Sequence, residues 1–297
     1  MRVFVTGASG WIGSAAVDEL LAASHEVVGL ARSDASAASL DAKGVEVRRG
    51  DLDDLESIRV GAAGADAVLH LANKHDFDNP AVSNKAERDA VQAIGDVLAG
   101  SGRPFLLASG VASPKQGQML TENDKSPFHG PESPRGGSEN LALEYVDRGV
   151  NTVSVRFAPT VHGNGDHGFI AILVGIARDK GVAAFVGDGT NRWPAIHRSD
   201  AARVIRLGLE KAPAGTLLHA VSEEGVSTRE IAEAIGRGIN VPVTSIAPED
   251  APQHFGWIGH FFAMDISASS ALTQELLGWA PSGPTLIQDL DAGSYFR

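Results

Sequence analysis

The residues best suited to chemistry open the chain: Thr6-Gly7-Ala8-Ser9-Gly10-Trp11-Ile12-Gly13. A short apolar run, Val3-Phe4-Val5, precedes them, and a stretch with helical spacing over 11–22 follows. In a strand–turn–helix setting the glycines have separate tasks. Gly7 permits the tight turn, Gly10 lets a pyrophosphate reach the backbone, and Gly13 lets the helix pack close. The unpaired N–H groups of the helix start face the phosphates, with Ser9, Trp11 and Ile12 around them. The second strand ends in Leu30-Ala31-Arg32-Ser33. No acid stands there for the ribose hydroxyls, whereas Arg32 and Ser33 suit a 2′-phosphate. That predicts NADP as cofactor, with NAD as the alternative. Asp51, followed by Leu52, reads as an acceptor for the adenine amine and equally as the N-cap of the next helix.

These residues need a scaffold that brings strand ends together. Short apolar runs recur at 27–30, 45–47, 67–69, 104–107 and 152–155. Helix-like stretches fall between most of them, notably 79–99 and 134–148. Apolar runs without alternation suit strands buried on both faces, and strands alternating with helices predict an α/β doubly wound parallel sheet. After 158 the pattern loosens. The expectations there are a helix near 168–180, a cap at Ser199-Asp200 for a helix over 200–211, and a strand at 217–219. Ser227 with Glu230 forms a capping-box pattern. The division expected is a dinucleotide-binding domain of 1–158 with 197–220, and a smaller mixed α/β substrate-binding region of 159–196 with 221–297.

The order of motifs resembles the extended short-chain dehydrogenase/reductase family, the superfamily of NAD-dependent epimerases and dehydratases. The residues that carry the resemblance are Thr6–Gly13, Gly50-Asp51-Leu52, Val68–Ala72, Ala108-Ser109-Gly110, Val155-Arg156 with Pro159–Gly163, and Ile196–Asp200. It implies a Rossmann-type sheet and places Leu71, Ala72, Asn73 and Ser109 beside the cofactor. It also implies a homodimer through the helices at 79–99 and 134–148. The family's catalytic signature is Tyr-x-x-x-Lys on the helix after the fifth strand. Here Arg135 stands in the tyrosine's place and Glu139 in the lysine's. The chain has two tyrosines, and neither Tyr145 nor Tyr295 has a lysine four residues later; Tyr145 is followed at that spacing by Gly149. An arginine stays protonated, so Arg135 can stabilise an alkoxide but cannot donate its proton. The plainer expectation is an intrahelical Arg135–Glu139 pair. Ser109 can hold a carbonyl oxygen, although the alternative alignment puts Gly110 there. His75, beside Asp76, and His162 are the candidate proton donors. The aromatic run 254–262 is a candidate pocket wall, or core.

Composition removes other classes. The chain of 297 residues has no cysteine, which excludes disulfides and thiolate chemistry. Its ten histidines form no H-x-x-x-H or H-E-x-x-H pattern, so no metal site is expected. A formal charge of −12 disfavours nucleic acid and anionic membrane as partners. No apolar stretch has signal or membrane-span length, and a cytoplasmic location is expected. The leading expectation is an NAD(P)H-dependent oxidoreductase reducing a small aldehyde or ketone with a non-standard proton donor. A catalytically inactive NADP-binding regulatory protein is the second, and a sugar-nucleotide epimerase or dehydratase the third.

Overall fold

The computed structural model describes residues 1–74, 76, 79–111 and 117–297. The first half alternates without exception from β1 (Arg2–Thr6), α1 (Trp11–Ala22), β2 (Glu26–Ala31) and α2 (Asp34–Asp41) to β3 (Glu46–Arg49), α3 (Leu55–Ala63) and β4 (Ala67–His70). Then come α4 (Pro80–Leu98), β5 (Pro104–Gly110), the short β6 (Met119–Leu120), α5 (Ser138–Glu144) and β7 (Asn151–Phe157). The remainder holds β8 (Thr160–His162), α6 (Phe169–Lys180), β9 (Ala183–Val186), β10 (Arg192–His197), α7 (Arg198–Lys211) and β11 (Leu217–Ala220). It continues through β12 (Glu223–Ser227), α8 (Thr228–Ile239), β13 (Val243–Ile246), α9 (Ala251–Phe255) and α10 (Ile258–Phe262) to β14 (Ser267–Ala268), α11 (Ala271–Leu277) and α12 (Leu286–Asp291).

Seven strands of the described residues form one sheet in the order β11-β7-β5-β4-β1-β2-β3, and all its pairs are parallel. It is a Rossmann-like doubly wound sheet. The strand order reverses at β1, between β2 and β4, and a crevice opens there at the carboxyl ends of the strands. Val3 and Val5 pack on one face with Ala16, Leu20 and Ile205, whereas Phe4 packs on the other with Ile58, Ile94 and Leu107. That two-sided burial is why the strands read as continuous apolar runs. A third core gathers α6, β9, β10, α8 and α10 around Trp193, Phe255 and Phe262, so Phe255, Ile258 and Phe262 of the aromatic run 254–262 are core while Trp257 is exposed.

Three local expectations need correction. The helix expected over 134–148 is only Ser138–Glu144. Arg135, Gly136 and Gly137 all have left-handed backbones, with φ of 54°, 62° and 63°. Consecutive left-handed residues cannot continue a right-handed helix, so they form the turn that delivers α5. The helix after Asp51 is capped by Asp54, whose side chain accepts from the Ser57 amide. The helix at 198 is capped by His197, whose ring accepts from the Ser199 amide. Asp200 is buried inside that helix and takes the Ser282 and Gly283 amides. The capping box at Ser227 and Glu230 is present as read, and β11 returns to the sheet beside β7.

Candidate active site

A cleft of about 910 Å³ runs along the carboxyl edge of the sheet. Its floor is the turn between β1 and α1. Gly7 has φ +69°, and a Cβ there would lie 2.7 Å from the Ala72 amide nitrogen. A Cβ on Gly13 would strike the Gly7 carbonyl oxygen. The turn therefore has room only for glycine at these two points. No side chain caps α1, and no acid sits in its first turn, so its amide groups face the cleft without a competing anion. Gly7, Ser9, Gly10, Trp11, Ile12 and Gly13 all line this wall. A pyrophosphate fits the cradle.

At one end the cleft meets Arg32, Asp51 and Leu52. Arg32 is exposed, and its guanidinium has no hydrogen-bond or ion-pair partner among the described residues. Arg49, at the adjacent end of β3, reaches the Arg32 carbonyl at 3.4 Å and pairs with Asp34 at 2.9 Å. Asp51 takes the Asp53 and Asp54 amides on one oxygen, which fixes its carboxylate. Ser33 does not line the cleft: its hydroxyl caps α2, and Ser36 lines the wall instead. Leu71, Ala72 and Asn73 form the wall after β4.

The catalytic candidates separate. Arg135 donates to Glu87 of α4 at 2.6 Å, not to Glu139. Glu139 instead forms a buried forked pair with Arg156 of β7, with Nε at 3.0 Å. The intrahelical pair expected from sequence is absent because the left-handed turn removes residue 135 from the helix. Glu87 is 1% exposed and also accepts from Asn73 at 3.1 Å. Its Oε1 stands 4.0 Å from Nε2 of buried His70, whose Nδ1 is hydrogen-bonded to the Thr6 hydroxyl at 2.8 Å. Arg135 is thus the counter-ion of a buried acid that fastens one wall of the cleft.

His162 is 0% exposed and turned away from the cleft, onto Asp289 at 3.0 Å. Its burial lowers its pKa, with the Asp289 bond opposing. Ser109 lies beside Arg156 in the sheet register and is not part of the cleft lining. His75 lies outside the described residues. Ser109, His162 and Arg135 therefore do not converge.

The far end of the cleft is formed by Asp166, His167, Phe169 and Trp257; Trp257 belongs to the aromatic run expected as a pocket wall, whereas sequence reasoning missed Asp166, His167 and Phe169. Asp166 accepts the Gly168 amide at 2.6 Å and the Tyr295 hydroxyl at 2.7 Å. Burial pushes its carboxyl above the usual range, while the two hydrogen bonds pull the other way. Tyr295 also accepts the Gly163 amide at 3.2 Å, so the end of the chain holds the loop 163–168. Trp11 donates to the Val161 carbonyl at 2.7 Å and meets the His167 ring edge-on. The only sequence signal for this loop was its glycine-rich spacing after β8.

Residues 3–219 match the family model described as the NAD dependent epimerase/dehydratase family. The chain is 44% identical over its full length to an uncharacterized protein of Schizosaccharomyces pombe, also covered in full. It is 28% identical over 227 residues, 72% of this chain and 66% of the other, to the 4-hydroxy-2-methyl-3-oxo-4-farnesyl-3,4-dihydroquinoline-1-oxide ketoreductase of Stigmatella aurantiaca. Among solved structures, a double mutant of the dTDP-glucose 4,6-dehydratase DesIV from Streptomyces venezuelae, with NAD bound, superposes with a TM-score of 0.77 at 23% identity. That alignment covers all of this chain and 97% of the other.

Proposed function

The chain belongs to the NAD dependent epimerase/dehydratase family, and from that premise we propose that it is a nicotinamide-dependent oxidoreductase that reduces a small aldehyde or ketone. The observation that carries the reading is the continuous cleft from the glycine cradle to the loop 163–168. One end suits a dinucleotide, and the other leaves room for a second molecule. The group supplies hydride when bound; the protein must place it against a carbonyl and provide a proton. NADP is the preferred form on this reading, because Arg32 is exposed at the end of β2 and no acid competes for it. The ketoreductase relative agrees with a carbonyl substrate.

With His162 turned to Asp289, the titratable side chains among the described residues at the far end of the cleft are Asp166 and His167. His167 can pass a proton to the developing alkoxide, directly or through water, while Asp166 is held as an acceptor by the Gly168 amide and the Tyr295 hydroxyl. Losing a well-placed donor costs about 10²–10⁴ in rate, so a slower reduction survives without the family's tyrosine. The same reading takes the working unit to be a homodimer, which light scattering tests. A nucleotide-binding partner protein without turnover is the second reading, favoured by the commitment of Arg135 and Glu139 to structural pairs. NADPH consumption across a panel of neutral aldehydes and ketones separates the two. Folded protein that binds NADPH and shows no turnover above buffer with any of them would leave only the second.

A further inference from the structure

The far end of the cleft carries information about charge that the family resemblance does not. This inference rests on the reading that the glycine cradle takes the dinucleotide. We infer that the second molecule is an uncharged carbonyl compound with an aromatic or similarly bulky apolar body, and that Asp166 is the residue that excludes anionic substrates, nucleotide sugars included.

Shape gives the first half. Phe169 meets Trp257 edge-on with centroids 5.8 Å apart, and is backed by Phe261 at 5.3 Å and by Trp193 at 5.8 Å. Its ring is thereby held as a wall, with Ile170 and Ile172 beside it in the lining. Trp257 is 50% exposed, unusual for so large an apolar side chain, and it borders the same opening. Aromatic faces of this kind favour flat apolar bodies.

Charge gives the second half. Among the described lining residues the cations are Arg32, at the nucleotide end, and Lys74. Lys74 is already held by both oxygens of Asp53, at 2.7 and 2.8 Å. From residue 157 onward the described lining contains neither lysine nor arginine, and it contains one acid. A diphosphate arriving there would need the amide groups at the start of α6. Asp166 stands on that spot: its carboxyl takes the Gly168 amide, and Tyr295 fixes it from the other side. The place of an anion is filled by the protein's own acid, and among the described lining residues from 157 onward His167 is the one basic side chain that could offset a second anion.

The test compares ligands of one shape and different charge on the full-length protein, with and without NADP⁺. Methyl phenylglyoxylate is neutral, phenylglyoxylate is its anion, and UDP-glucose represents the nucleotide sugars. Binding is read by calorimetry and by tryptophan fluorescence. The expected result is that the ester binds at least about tenfold tighter than either anion. In Asp166→Asn, which can still accept from Gly168, phenylglyoxylate gains about tenfold and the ester changes little. Trp257→Ala, at a half-exposed position, weakens the ester and leaves NADPH affinity unchanged. Equal or tighter binding of UDP-glucose or phenylglyoxylate by the wild type, or no binding of the ester, overturns the inference. An Asp166→Asn variant that folds and shows no gain for the keto acid removes Asp166 from it. Ester that binds but is not reduced by NADPH to the alcohol sinks the oxidoreductase reading and leaves the ligand class standing.

Discussion

Arg32 is the residue on which the proposed preference for NADP turns. Its guanidinium is exposed at the end of β2 and has no protein partner among the described residues, so its removal costs the fold little. Arg32→Ala should weaken NADPH about tenfold or more in a direct titration, since a charge-assisted phosphate contact is lost. NADH should shift hardly at all; an equal loss for both would contradict the 2′-phosphate assignment. Arg135 has the opposite character. Its partner Glu87 is almost fully buried, so Arg135→Ala strands a carboxylate. A loss of about 1–3 kcal/mol in chemical denaturation is expected. The double variant with Glu87→Gln should recover part of it, because the uncompensated charge is then gone.

The elements show what a sequence discloses and what it hides. The helix read over 11–22 is Trp11–Ala22, and the capping box at Ser227 is formed, because both are written in short local patterns. The parallel doubly wound sheet was legible in the alternation of short apolar runs with helices, but the order of its strands was not. The turn at 135–137 was hidden for a physical reason: Gly-Gly between polar residues is compatible with a weak helix as well as with a left-handed turn. The choice between them is made by α4, whose Asn84 carbonyl would stand 2.5 Å from a Cβ at residue 136. At the far end of the cleft Trp257 lay in a run already read as a candidate wall, but the place of Asp166 was equally hidden, because it acquires its meaning from Tyr295, 129 positions later. Gly136→Ala adds both a clash and a strained φ, and should lower the unfolding free energy by more than the roughly 1 kcal/mol of an unfavourable left-handed residue. Ser227→Ala should cost about 1 kcal/mol, the ordinary value of an N-cap. If both substitutions cost the same, the turn is less constrained than described.

At the scale of the molecule, the described residues contain no helix long and apolar enough to cross a membrane. Buried histidines set the response to acid. His70, His162 and His219 are at most 1% exposed, and burial lowers each below the usual 6.5, with nearby carboxylates opposing. Above 6.5 all three are neutral in the folded and the unfolded chain. Below it the unfolded chain takes up protons that the folded chain refuses. Stability should therefore fall as pH drops from 6.5 toward the lowered folded values, by up to about 1.4 kcal/mol per pH unit for each ring. Asp166 and Glu223, raised by burial, act in the opposite sense nearer the carboxylate range and offset part of the loss. Denaturation curves between pH 5 and 7.5 measure the balance, and a flat profile would show that the rings protonate in place. The left-handed turn bears on ancestry as well. If Arg135 and Glu139 descend from a tyrosine and a lysine, the path back is closed to single steps. A tyrosine at 135 would inherit a left-handed backbone and leave Glu87 without its cation, and a lysine at 139 would face Arg156. Each reversion is penalised unless its partners change with it, so lineages that share these pairs should keep or lose them together.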